Sequence, residues 1–244
     1  MNITTLEKMK AMKFYGMRMA FESSLETKQS STFTPDEFMN YLLQAEWDYR
    51  QNKKISMSLS NAKFRYQASM EEIDFSNARN LDKNNLLRLM DCSFIENKEN
   101  VLVTGATGVG KSYVASALGH HACVKGFKVM YFNTSKLFSK LRACKADASF
   151  TKEINKIAKQ DLLILDDFGL APIDAQNRLV LMEMIEDRHG SKSTVIASQL
   201  PVAQWYELLE DQTLADAILD RIIHRSHRIE LKGESMRRKQ IKNN

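Results

Sequence analysis

Gly105-Ala106-Thr107-Gly108-Val109-Gly110-Lys111-Ser112 satisfies G-x-x-x-x-G-K-[ST] at every fixed position. Before it, Val101-Leu102-Val103-Thr104 reads as a short buried strand; after it, Tyr113 to Val124 carries apolar residues at helical spacing. A loop of this composition between a strand and a helix start curls its backbone so that successive N–H groups face a polyphosphate. The helix N-terminus adds unpaired donors and partial positive charge. Lys111 then reaches the β- and γ-phosphates, and Ser112 offers its hydroxyl to Mg²⁺. The candidate ATP-binding residues are Gly105, Thr107, Gly108, Val109, Gly110, Lys111, Ser112 and Tyr113. The competing reading, a glycine-rich turn matching by chance, does not account for the flanking strand and helix.

A second motif lies about 55 residues downstream, a separation typical of phosphate-loop folds. Leu162-Leu163-Ile164-Leu165 is a continuous apolar run, as expected of a central parallel strand. It ends in Asp166-Asp167, the Walker B arrangement. Asp166 is placed to hold Mg²⁺, directly or through water, and Asp167 to polarise the attacking water.

The rest of the chain agrees with a globular α/β protein. Its 244 residues allow one or two domains, and 43% hydrophobic with 27% charged residues is a soluble composition. No run of 18 apolar residues exists, so no membrane span is expected. The N-terminus lacks a signal-peptide core, and Cys92, Cys123 and Cys144 have no metal-ligand spacing. These features predict reduced thiols and a cytoplasmic location.

Residues 1–78 show no strand-like run and predict a small all-helical N-terminal domain, with an ATPase domain over 79–244. One helix is expected over Ile3–Phe21. A second follows the Thr34-Pro35-Asp36-Glu37 start, a third covers Ser56–Met70, and a fourth is capped by Asp82. From Val101 onward strands and helices alternate: Lys128–Phe132, a helix capped by Ser135, Phe150–Ala158, the Walker B strand, Asp174–Arg188 and Ser193–Ser198. Helices Val202–Leu209 and Thr213–Ile223 and a strand Arg228–Leu231 complete the pattern. Such alternation predicts a parallel sheet with helices on both faces.

Asp166-Asp167-Phe168-Gly169, Ser198-Gln199-Leu200-Pro201, Ala215-Asp216-Ala217-Ile218-Leu219-Asp220-Arg221-Ile222 and Leu231-Lys232-Gly233-Glu234-Ser235-Met236-Arg237 follow the phosphate loop in that order. With them the chain resembles the IstB family, ATPase helpers of insertion-sequence transposition, themselves similar to the DnaC helicase loaders within the AAA+ P-loop NTPases. The resemblance covers nearly the whole chain. It implies that Gln199 is sensor 1, that Arg221 is an arginine finger reaching the next subunit's nucleotide, and that Arg237 is sensor 2. Arg225 and Arg228 are close rivals to Arg221. One departure is Asp167 where many AAA+ proteins carry glutamate. The shorter side chain implies slow turnover.

Two basic stretches bear on nucleic acid. Arg50, Lys53, Lys54, Lys63 and Arg65 lie in a segment to Met70 without an acid, interleaved with Tyr49, Phe64 and Tyr66. From Arg221 to the end, eight Lys or Arg face two Glu. Either stretch reads equally well as a solvated basic face. The family resemblance favours double-stranded DNA, held through backbone and shape with little base readout. It further implies an ATP-dependent homo-oligomer and an IstA-type transposase as partner. The alternatives are a DnaC-type helicase loader and a small-molecule phosphotransferase; the sensor and finger motifs disfavour the latter.

Overall fold

The computed structural model describes residues 2–28, 32–75 and 79–236. It divides into two compact units, 1–57 and 58–244. The division therefore falls earlier than the expected 78/79. The reason is that Ala62, Ala68, Met70 and Ile73 are buried with residues of the sheet and its helices.

The first unit is helical: α1 Asn2–Ala11, α2 Tyr15–Glu26 and the long α3 Pro35–Ala62, which runs on into the second unit. The single helix expected over Ile3–Phe21 is broken. Lys13 sits at φ +60°, the Phe14 N–H bonds Met9 O (2.8 Å), and the Lys13 N–H bonds Lys10 O (3.0 Å). This is the Schellman closure with lysine where glycine usually signals it. Gly16 begins α2 against α3, where a Cβ would lie 2.3 Å from Ala45 O. The buried Glu46 carboxylate accepts from the Gly16 and Met17 N–H groups (2.8 and 3.1 Å), capping α2 from its neighbour. Thr34 and Glu37 form the expected capping box, with Thr34 N–H to Glu37 Oε2 at 2.8 Å and Glu37 N–H to Thr34 Oγ1 at 3.3 Å. The helix expected over Ser56–Met70 does not form separately: α3 ends at Ala62, Lys63 turns at φ +58°, and the chain beyond is irregular. Phe64 there packs edge-on to Tyr131, and Ala68 and Met70 are buried, so core packing overrides the local pattern.

The second unit holds α4 Lys83–Met90, the short α5 Ser93–Glu96, β1 Asn100–Gly105, α6 Lys111–Val124, β2 Val129–Asn133, α7 Thr134–Ala146, α8 Phe150–Ala158, β3 Leu162–Phe168, α9 Ala175–Arg188, β4 Ser193–Ser198, α10 Trp205–Leu209, α11 Gln212–Ile223 and β5 Ser226–Leu231. All four strand pairings are parallel, in the order β2-β3-β4-β1-β5. Asp82, Asp174 and Asp211 cap α4, α9 and α11. The cap of α7 is Asn133, two residues earlier than the expected Ser135.

Strand residues alternate between two cores, as a pleated sheet covered on both faces requires. Val101, Val103, Ile164, Val195 and Ala197 pack with α4 and α6. Leu102, Leu163, Leu165 and Ile196 pack with α7, α8, α9 and α11. The sequence expectation of helices on both faces is met. Arg188 is buried in the second layer, where its guanidinium donates to Thr194 Oγ1 (3.2 Å), Ile157 O and Gln160 O (both 3.0 Å) and Ser193 O. Burial pushes it down to about 10, so it stays charged at neutral pH. Arg188→Met takes the guanidinium from three carbonyls; Ile157 O keeps the Gln160 N–H (3.1 Å), and each carbonyl left unpaired costs about 1–3 kcal/mol. Urea denaturation is expected to show a loss of about 3 kcal/mol or more; a loss under about 1 kcal/mol would mean that water replaces the guanidinium.

Candidate nucleotide site at the carboxyl edge of the sheet

The phosphate loop joins the end of β1 to the start of α6. Gly108 and Gly110 adopt φ of +86° and +99°, which other residues resist. Each is also sterically closed: a Cβ on Gly108 would lie 2.2 Å from Ser235 Oγ, and one on Gly110 would lie 2.6 Å from an Arg79 guanidinium nitrogen. Lys111 is 6% exposed and its ammonium donates to Ala106 O at 2.8 Å, folding back over the loop. Val109 is buried beneath it, and the Tyr113 hydroxyl donates to Glu72.

The acidic pair stands beside the loop. Ser112 Oγ donates to Asp166 Oδ1 at 2.9 Å, so the two candidate metal ligands already touch. Asp166 is 1% exposed; its other oxygen accepts from the Tyr131 hydroxyl, and its backbone carbonyl accepts from Thr134 Oγ1 at 2.9 Å. Burial, reinforced by that bond to Asp166, pushes the Tyr131 phenol far up, so it acts as a donor at any ordinary pH. At Asp167 the β3–β4 register skips between Leu165 and Phe168, and Asp167 takes φ +55°. The bulge turns its carboxylate out of the ladder into the cleft. There Asp167 Oδ2 accepts from Asn133 Nδ2 (2.9 Å) and from Arg65 (3.0 Å).

Gln199 lies just past the tip of β4, and its Oε1 accepts from Thr107 Oγ1 at 2.7 Å. The structure thus brings Gln199, Thr107, Lys111, Ser112 and Asp167 around one cleft of about 540 Å³. That volume is in the range of small-molecule sites. Among the described residues no group of three or more His, Cys, Asp or Glu is placed to hold a metal ion. Ser112 and Asp166, already in contact, are the protein oxygens that would fit a divalent cation at the phosphate loop. This is the donor set suited to Mg²⁺.

Arg221 is elsewhere. The end of α11 adjoins the start of β1, where Asn100 Nδ2 donates to Arg221 O (3.2 Å) and Ile222 O (3.0 Å). This is the amino edge of the sheet, opposite the phosphate loop. The Arg221 side chain ion-pairs with Glu186 at 2.7 Å and lines a small cleft with Arg225, Lys98 and His189. Arg228 stands apart on edge strand β5, level with Leu102. Arg237 lies outside the described residues. The sequence reading missed four site residues. Tyr131 and Asn133 sit on β2, whose pairing with β3 puts them beside the acids. Arg79, buried with its nitrogens on Val109 O (2.6 Å) and Asp74 O (2.9 Å), and Arg65 carried no motif.

A parallel sheet in this strand order, with a phosphate loop after β1 and an acidic pair at the tip of β3, defines a P-loop NTPase of the AAA+ class. The family profile described as IstB-like ATP binding protein matches residues 7–244. The chain belongs to the IstB-like family. It is 40% identical over 236 residues to the insertion sequence ATP-binding protein y4pL of Sinorhizobium fredii, covering 97% of this chain and 96% of that protein. It is 30% identical to the IS21 ATP-binding protein of Pseudomonas aeruginosa, covering 90% and 83%. Among solved structures it resembles the DnaC helicase loader, with a TM-score of 0.58, 21% identity and coverage of 68% of this chain and 98% of that one. This last likeness speaks to the fold. Among the described residues no helix is long and apolar enough to cross a membrane.

Proposed function

We propose that this chain is a Mg²⁺-dependent ATPase that assembles on duplex DNA and assists an insertion-sequence transposase, with the nucleotide sites completed between subunits. The observation that carries the reading is the Ser112–Asp166 contact at the floor of the phosphate-loop cleft, in a chain that belongs throughout to a family of insertion-sequence ATP-binding proteins. Lys111 and the loop N–H groups bind the polyphosphate. Ser112 and Asp166 would hold Mg²⁺, which when bound would neutralise phosphate charge. Asp167 accepts a proton from the attacking water and Gln199 orients that water. Arg221, too far around the sheet to serve its own site, serves the next subunit's. The DnaC-type loader reading rests on a fold likeness alone and is not preferred.

The basic stretch over residues 50–70 divides into engaged arginines and surface lysines. Arg65 is turned into the nucleotide cleft, and Arg50 is paired with Glu46 at 2.7 Å, so neither is a simple phosphate contact. Lys53, Lys54 and Lys63 are exposed. Subunits ordered by ATP align these lysines along one duplex, multiplying weak contacts. Replacing all three by Glu is expected to weaken every duplex about equally and leave nucleotide binding intact. DNA affinity measured with and without a slowly hydrolysed ATP analogue across a salt series tests this. Wild-type affinity should rise with nucleotide and fall steeply with salt. Indifference to both would sink the DNA-assembly reading.

A further inference from the structure

Arg65 is the one basic side chain of its stretch that the fold sends to the acidic pair. Its guanidinium lies 3.0 Å from Asp167 Oδ2 and 3.5 Å from Asp166 Oδ2, and it rests over the Tyr66 ring at 5.5 Å. The same Asp167 oxygen already accepts from Asn133. A carboxylate oxygen already engaged by two donors must give one up before a water in the cleft can donate to it. The guanidinium also stands where it opposes a second cation: Asp166 is the carboxylate that a divalent ion shares with Ser112, and like charges a few ångströms apart repel.

We propose that Arg65 is a positioning residue of the nucleotide site, which holds Asp167 and Asp166 in an unproductive pairing that the metal–nucleotide complex must displace before Asp167 can take a proton from water. The inference rests on the cleft being a metal–nucleotide site, as argued above. Arg65 is 41% exposed at its side chain, so it can leave without unfolding its surroundings. It also lies three residues past the end of α3, in the irregular segment that follows that helix. Displacing it loosens the irregular 63–70 segment of the second unit, so nucleotide loading is felt in that segment.

The test uses the full chain and a fluorescent ATP analogue, with binding followed across a Mg²⁺ titration. Arg65→Gln is expected to lower the half-saturating Mg²⁺ about threefold, in the upper range for a half-exposed ion pair. Arg65→Lys, which keeps the charge, should stay near wild type. In an Asp167→Asn background the effect of Arg65→Gln should shrink by at least half, because its main partner is gone. Turnover per bound nucleotide should rise in Arg65→Gln. Amide exchange in residues 64–70 of the wild type should speed up when Mg²⁺ and the analogue are added. An unchanged Mg²⁺ dependence would overturn the proposal. So would weaker nucleotide binding by Arg65→Gln at saturating Mg²⁺, which would make Arg65 a phosphate ligand instead. A wild type that binds no analogue at all would remove the nucleotide-site reading together with this one, whereas Arg65→Gln matching a wild type that does bind removes this one alone.

Discussion

Lys111→Ala is expected to lose at least about a hundredfold in ATP affinity, while Asp167→Asn keeps ATP affinity and loses about a hundredfold or more in turnover. The two residues face the same cleft but act on different things. Lys111 is a nearly buried cation at the phosphate loop, and its removal leaves the polyphosphate without its main side-chain counter-charge. Charge-assisted bonds of this kind are the strong ones, and buried anions without a partner are costly. Asp167 makes its contacts to Asn133 and Arg65, and takes no part in the Ser112–Asp166 hydrogen bond. Asparagine preserves its size but cannot accept a proton. Equilibrium binding of a fluorescent analogue and steady-state phosphate release separate the two effects. Circular dichroism checks that each variant is folded. Tight ATP binding by a folded Lys111→Ala protein would refute the site.

The parts of this fold that were legible in the sequence are those where local chemistry and tertiary role coincide. The phosphate loop is fixed by backbone geometry that few residues but glycine adopt, so Gly108 and Gly110 announce it. Leu162 to Leu165 is apolar on both faces because both faces are covered. Asp82 and Asp174 cap their helices through their own side chains. The failures came where a distant partner decides. Lys13 ends α1 without a glycine. Phe64 to Met70 leaves the helical state because its side chains are wanted under the sheet. Asn133 displaced Ser135 as cap, since β2 runs to Asn133 and helix geometry starts at Thr134. The contact of Arg65 with Asp167 spans 102 positions and involves no motif, so no local pattern reports it.

Arg221→Ala and Lys111→Ala subunits, each inactive alone, are expected to recover activity when mixed. If each site combines the phosphate loop of one subunit with Arg221 of the next, the first variant supplies an intact loop and the second an intact arginine. In a head-to-tail assembly of equal parts mixed at random, about a quarter of the interfaces then carry both intact halves, and about a quarter of wild-type turnover should return. The placement of Arg221 at the amino edge of the sheet motivates the test, because a residue beside Asn100 cannot reach the phosphate loop at the other end of β1. In the isolated chain Arg221 is paired with Glu186, so assembly must exchange that partner for phosphate. An arginine so supplied contributes about 10³ or more in rate, which makes the return easy to see above background. The mixture must be compared with each variant at the same total concentration, with sedimentation showing that both still assemble. Recovery with Arg225→Ala or Arg228→Ala in place of Arg221→Ala would move the finger to that residue. If both variants assemble and no recovery appears for any of the three, the nucleotide site is not shared between subunits.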